Sequence, residues 1–250
     1  MKNAVYTVVQ NESRLLPVWL KYYSRYFDDI HVFDHNSTDG SVEEAKKKYK
    51  FTSHRIENKT RYDSNLMLRN GVEAQHNLFA KHKYDWLVFA EADELIVLNP
   101  DKYNNFNDFF KDTKELSITC TGREVLTLDE EKAIDWDKPL LAQRTYWWPH
   151  PSYYKTVISQ VPLNWVEGFH YTEDIDNYFM EEKGKGGLTK YSGLGEYIKG
   201  LGNPDVYMVH LQKIDWDVFC SRGRFKKDKD HFTIGMNEKE LIPSKWKKVL

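Results

Sequence analysis

A chain of 250 residues and 29.7 kDa suits one large domain, because single hydrophobic cores commonly grow to about this size before a chain divides. Apolar residues make up 40% and charged residues 30%, with aromatics at 15%, so there is material for a packed core and no case for general disorder. Lys plus Arg total 36 against 38 Asp plus Glu, and the formal charge of -2 removes the whole-molecule electrostatic argument for a nucleic-acid partner.

Cys120 and Cys220 stand far apart, in neither a CxxC pair nor a disulfide framework, so a reducing compartment is expected and a zinc site built on a cysteine cluster is excluded. No apolar run approaches the roughly 20 residues that a membrane-spanning helix needs. Lys2 precedes the apolar run Ala4 to Val9, but Gln10-Asn11-Glu12 ends it too early for a signal-peptide core. The expected localisation is cytoplasmic, with peripheral membrane contact through a basic C-terminal tail as a further expectation.

Taken in chain order, Ala4 to Val9 reads as a buried strand, and Asn11-Glu12-Ser13 supplies helix-starting chemistry. Leu15, Leu16, Trp19, Leu20, Tyr23 and Tyr26 then recur at helical spacing, with Pro17 near the opening turn. Asp29 to Asp34 is a second strand, closed by the polar turn His35 to Gly40, and Ser41 to Tyr49 a short charged helix. Phe51 to Glu57 is a weaker strand, and a long helix starts at Ser64 with Met67, Gly71, Ala74 and Leu78 on one face. Tyr84 to Phe89 is a buried strand that runs into Glu91-Ala92-Asp93-Glu94, followed by Leu95 to Leu98 and a stop at Asn99-Pro100. Alternating strands and helices over the first hundred residues predict a largely parallel sheet covered on both faces. Beyond residue 100 the pattern weakens. Glu115 to Leu126, Tyr153 to Val161 and Val206 to Leu211 read as strands, Lys183 to Gly202 as a Gly-rich loop, and Asp215 to Lys226 as a helix.

Ligands of open α/β sheets bind outside the carboxyl ends of the strands, which is where Glu91 and Asp93 fall. Two residues apart, both carboxylates project to one side of an extended backbone, and Ala92 between them leaves room for approach. Hard oxygen donors of this kind suit Mg²⁺ or Mn²⁺, and such an ion suits a diphosphate. An ordinary acidic turn after a strand is the plainer alternative.

Three segments, each ending one of these strands, occur in a particular order: Val8-Val9-Gln10-Asn11-Glu12, Phe33-Asp34-His35-Asn36-Ser37-Thr38-Asp39-Gly40, and Phe89-Ala90-Glu91-Ala92-Asp93-Glu94. Together they resemble GT-A fold glycosyltransferases, in particular the family-2 and family-92-like branch. His210-Leu211-Gln212-Lys213, followed by Phe219 and Arg222-Gly223, resembles the later part of some members. The resemblance implies a GT-A type three-layer α/β/α sandwich with a mostly parallel mixed central sheet. It would form a single catalytic domain over residues 1–250, with a nucleotide-sugar-binding half at 1–100, an acceptor-side half at 101–226 and a basic tail at 227–250.

The resemblance also implies site roles. Val8, Gln10, Asn11, Glu12, Asp34, His35, Glu91 and Ala92 would surround the nucleotide, and Arg69, near the start of the long helix, could pair with a phosphate or a nucleotide edge, a solvated helix charge being its plainer role. Asp93, Glu91 and the late His210 would hold Mn²⁺ or Mg²⁺. His35 stands where relatives usually have a second Asp, and Glu91 where they have the first acid of the metal motif. In Tyr171-Thr172-Glu173-Asp174, Asp174 or else Glu173 would take the acceptor proton, with a helix N-cap as the plainer role. Trp148, Trp165 and His170 are candidates for contact with sugar or acceptor, core packing being equally natural for the two tryptophans.

The function so implied is metal-dependent, inverting transfer of a sugar from a nucleotide-sugar donor to a hydroxyl of a glycan, lipid-linked or protein-linked acceptor. A sugar-1-phosphate nucleotidyltransferase is the rival enzyme, although it needs a Gly-rich phosphate loop that Gln10 to Ser13 does not provide. A non-catalytic carbohydrate-binding protein would account for the tryptophans but not for the strand-end acids.

Overall fold

The computed structural model describes residues 1–57, 64–149, 153–166, 171–172, 202–221 and 235–248. Among them, β1 (Asn3–Val9), α1 (Leu15–Tyr23), β2 (Asp29–Asp34), α2 (Ser41–Lys46), β3 (Thr52–Arg55), α3 (Ser64–His82) and β4 (Trp86–Phe89) follow the predicted alternation. β1 pairs in parallel with β2 and with β4, and β2 with β3, so the strand order is 3-2-1-4. The chain therefore moves outward through β1, β2 and β3, then returns to place β4 on the other side of β1. Right-handed crossovers put α1 and α2 on one face and α3 on the opposite one. Cover on both faces explains why β1 is buried at every position from Ala4 to Val9 and why it carries no polar alternation.

Side chains fix each layer. The Tyr6 hydroxyl donates to the Gly71 carbonyl on α3 (3.1 Å). From α1, the Tyr22 hydroxyl donates to Ile96 O (2.7 Å) and Tyr23 packs at 4.5 Å on Trp19.

The rest of the sheet is mixed. β5 (Glu94–Leu98) turns back and pairs with β11 (Asn203–His210), which also runs parallel to β6 (Ser117–Leu126). β8 (Lys155–Ser159) lies antiparallel between β4 and β6, and β7 (Tyr146–Trp148) pairs with β6. β9 (Trp165–Val166) and β10 (Tyr171–Thr172) form a separate two-stranded ribbon. This mixed central sheet with flanking helices is the predicted fold class.

Two segments differ from the sequence reading. α4 (Phe106–Asp112) was not anticipated, yet its cause is local: the Asn105 side chain accepts from Asp108 N–H, and Phe106, Phe109 and Phe110 form one buried stripe. The basic tail in turn supplies β12 (Glu240–Leu241), which pairs with β7, and Trp246, which is buried against Tyr207 at 4.5 Å. Lys245 is paired with Asp101. The helix predicted from Asp215 appears as α5 (Trp216–Ser221).

A histidine cluster lies between β2, β3 and the C-terminal end of α3. His31 Nδ1 meets His54 Nε2 at 3.0 Å, its Nε2 meets the Tyr84 hydroxyl at 2.9 Å, and that hydroxyl donates to Asp29. Burial, and then the neighbouring His54 and His82, lower the His31 pKa to about 4, with Lys81 acting in the same sense and Asp29 opposing. The folded state thus resists a proton that the unfolded chain accepts at about 6.5, so stability falls as pH drops from about 6.5 and levels off near 4. Urea unfolding at pH 7.5 and pH 5 is expected to show wild type losing about 1–2 kcal/mol more than His31→Gln, allowing for solvent screening of the cluster.

Candidate active site

The strand order reverses between β1 and β4, and in open α/β sheets the crevice at such a switch point, outside the carboxyl ends, receives the ligand. Two groups of side chains meet there.

The first ties together the loops that follow β1 and β2. Gln10 Nε2 donates to His35 O (2.9 Å), Asn11 N–H to Ser37 Oγ (3.0 Å), Thr38 N–H to Asn11 Oδ1 (2.8 Å) and Ser13 N–H to Asp39 Oδ2 (3.1 Å). Asn11 and Asn36 both adopt φ 57°, a left-handed conformation that Asn tolerates better than other side chains. Asp34 is buried, accepting Ser37 N–H (2.8 Å) and pairing with Arg55, which also reaches Asn36. His35 is buried and accepts from Asn70 on α3 (2.9 Å). The structure thus gathers Gln10, Asn11, Asp34 and His35, with Val8 buried in β1 beneath them and Glu12 half-buried at the entry to α1. Arg69 is exposed on α3, next to Asn70.

The second group surrounds the acidic turn after β4. Ala90 N–H still donates to Tyr6 O, so the parallel ladder carries the chain directly into Glu91. A turn closes there: Glu94 N–H donates to Glu91 O (2.9 Å) and Glu91 N–H to Glu94 Oε2 (3.0 Å). Ala92 is buried in it. Glu91 faces a cation. Lys155 Nζ, at the start of β8, lies 2.6 Å from Glu91 Oε2 and 2.5 Å from Glu94 Oε1. Burial alone would lower the Lys155 pKa, but the two carboxylates outweigh it and raise it.

Asp93 faces His210. The ladder register sets His210 opposite Glu94 of β5 on one side and Glu124 of β6 on the other, and Leu211 N–H donates to Asp93 O (2.8 Å). The imidazole Nδ1 donates to Glu124 Oε2 (2.5 Å), while Nε2 stands 3.1 Å from Asp93 Oδ2. Burial acts to lower the His210 pKa, yet Glu124 and Asp93 prevail and hold it well above its ordinary value. Tyr153 stacks on the His210 ring at 5.0 Å, and Gly122 makes room for it: a Cβ there would stand 2.2 Å from the Tyr153 carbonyl carbon.

Asp93 and His210, paired with each other in this structure, are the two residues that could hold a divalent ion. Two cis ligands of an octahedral ion at about 2.1 Å stand about 3 Å apart, as Oδ2 and Nε2 do. A carboxylate holding the other imidazole nitrogen is the usual outer support of a metal-bound histidine. Among the described residues no group of three or more metal-binding side chains is arranged around one point, so water or phosphate oxygens would complete the shell.

Trp165 is a core ring, 4% exposed, packed on Phe89 with its Nε1–H donating to Thr156 O (2.7 Å). Trp148, 7% exposed, meets Tyr153 edge-on, lies beneath Lys213 and donates to Glu238. Asp174, Glu173 and His170 lie outside the described residues, as do Arg222-Gly223 and nearly all of the Gly-rich segment. Sequence reasoning missed Lys155, Glu124, Arg55 and Asn70. Only Lys155 carried a signal, as the one charged residue of the strand Lys155–Ser159.

No protein-family model matches the chain, and no curated protein matches it. Solved structures to which the chain shows some similarity include 4-diphosphocytidyl-2C-methyl-D-erythritol synthase, at 12% identity and TM-score 0.40, covering 70% of this chain and 86% of that one. CMP:2-keto-3-deoxy-manno-octonic acid synthetase with CTP is similar at 10% identity and TM-score 0.35, covering 84% and 90%. A glycosyltransferase involved in the glycosylation of the major capsid of PBCV-1 is similar at 11% identity and TM-score 0.30, covering 85% and 82%.

Removing Glu124 leaves His210, Tyr153 and the Lys213 N–H facing a void in a buried site. Glu124→Leu is expected to lower the unfolding free energy by about 3 kcal/mol in urea titration. Arg69→Ala, on the exposed face of α3, should stay within about 0.5 kcal/mol of wild type.

Proposed function

We propose that this chain is a metal-dependent, inverting glycosyltransferase that moves a sugar from a nucleotide-sugar donor to a hydroxyl of a glycan, lipid-linked or protein-linked acceptor. The observation that carries the reading is the pair Asp93–His210, oriented by Glu124 at the switch point of the sheet. These two residues would hold Mn²⁺ or Mg²⁺, which supplies Lewis-acid neutralisation of the charge that grows on a departing nucleoside diphosphate. Glu124 keeps Nε2 aimed at that position. The cross-tied loops around Gln10, Asn11, Asp34 and His35 form the wall on which the nucleotide rests, with Asp34 acting through the Ser37 turn and Arg55. Asp174 is proposed to take the proton of the acceptor hydroxyl as that oxygen attacks the anomeric carbon, with Glu173 as the alternative.

Two observations support this reading beside its alternatives, a sugar-1-phosphate nucleotidyltransferase and a non-catalytic carbohydrate-binding protein. A nucleotidyltransferase needs backbone amides pointing at a triphosphate after the first strand, whereas the amides of Asn11 and Ser13 already donate within the loops. A carbohydrate-binding protein needs open aromatic faces, and Trp148 and Trp165 are buried.

Thermal-shift titration of UDP- and GDP-sugars with and without Mn²⁺ tests the reading. Mn²⁺-dependent stabilisation of about 2.7 kcal/mol is expected at a hundredfold excess over Kd, and Asp93→Asn should abolish it without unfolding the protein. Equal stabilisation in chelator, or release of pyrophosphate from a nucleoside triphosphate and a sugar phosphate, would sink it. Once an acceptor is found, Asp174→Asn should lower kcat by about 10² to 10⁴-fold and leave donor Kd nearly unchanged. A wild-type kcat in this variant with a crippled Glu173→Gln moves the role to Glu173.

A further inference from the structure

We infer that the ammonium group of Lys155 occupies a second cation position in this site, so that the protein carries in its own chain a charge that a second divalent ion would otherwise supply. The metal reading above bears only on the position beside Asp93 and His210. The Lys155 position stands on separate observations.

Lys155 is a point charge on a flexible stem, yet here it is 4% exposed and touches two carboxylates at once, Glu91 Oε2 at 2.6 Å and Glu94 Oε1 at 2.5 Å. Those carboxylates belong to the same four-residue turn as Asp93, and the Glu94 side chain is also fastened to the Glu91 amide. A hard divalent ion seeks such a pair of convergent carboxylates. The antiparallel pairing of β8 with β4 delivers Lys155 there: Val88 opposes Ile158 and Leu87 opposes Ser159, and continuing that register brings Lys155 opposite Glu91. Tyr153, two residues earlier, reaches the Glu124 side of His210. One short segment therefore serves both positions, with a fixed ammonium at Glu91–Glu94 and an exchangeable ion at Asp93–His210. The consequence is chemical. Were an ion held between Asp93 and His210, Glu91 would be engaged by Lys155 and not by that ion.

Removing the ammonium should empty that position for a metal ion. Lys155→Gln is expected to bind one more Mn²⁺ per chain than wild type, whatever the wild-type number, as counted by calorimetry and by the loss of the free-Mn²⁺ electron-paramagnetic signal. Mn²⁺ should also raise the Tm of this variant more than that of wild type, because the ion replaces the missing charge between two carboxylates. The double variant Lys155→Gln/Glu94→Gln removes one of those carboxylates as well, and should return the count to that of wild type. An equal Mn²⁺ count in folded Lys155→Gln, or an extra ion retained by the double variant, overturns the inference. So does an unfolded Lys155→Gln that Mn²⁺ fails to restore. No ion in wild type and one in Lys155→Gln would sink the metal-dependent transfer reading and leave this inference standing.

Discussion

Three carboxylates, those of Asp93, Glu94 and Glu124, are buried almost completely within one small region, and the fold has to supply partners for all of them. Taking an isolated carboxylate out of water costs several kcal/mol, and only a partner in good geometry with its remaining lone pairs satisfied offsets that cost. Apart from the Glu91 amide, which donates to Glu94, the charged partners named here arrive from beyond residue 120. Lys155 comes from β8, His210 ends β11, and Lys213 and Tyr153 close the flanks. The parallel block that supplies the acidic turn is thus completed electrostatically by the mixed half of the sheet. That dependence explains why β11 runs between β5 and β6: this is the placement that sets one histidine against Glu94 and Glu124 together.

Around this centre, rigidity comes from different physics on the two sides. On one side, the loops after β1 and β2 have no glycine before Gly40, and their shape depends on two asparagines with left-handed backbones, of which Asn11 bonds across from loop to loop to Ser37 and Thr38. Residues that sequence patterns assign to ligand contact, Asp34 and Asn11 among them, here hold those loops in place. On the far side, packing dominates. Trp246 from the C-terminal tail lies against Tyr207 and Trp147, and β12 extends the sheet beyond β7. A segment whose composition reads as a solvated basic tail is part of the folded body, because one tryptophan outweighs several lysines in apolar area.

No helix among the described residues is long and apolar enough to cross a membrane. The surfaces that matter to the proposed chemistry are the polar crevice above β1 and β4 and the charges behind it.

Much of this was legible in the chain itself. Apolar and β-branched runs located β1, β2, β3, β4, β6, β8 and β11, helical spacing located α1 and α3, and strand-end acids placed Glu91 and Asp93 at the carboxyl edge, because each of these signals is local. The phenylalanine stripe of α4 was equally local and was overlooked amid a stretch with no recognisable motif. What only the tertiary structure decided is which charge meets which. Glu91 and Asp93 look equivalent in sequence, two residues apart on one strand end, but the turn at Glu91 to Glu94 sends one to Lys155, 64 residues later, and the other to His210. Long-range strand register made that choice, and it is set by the packing of whole ladders rather than by any spacing within a segment.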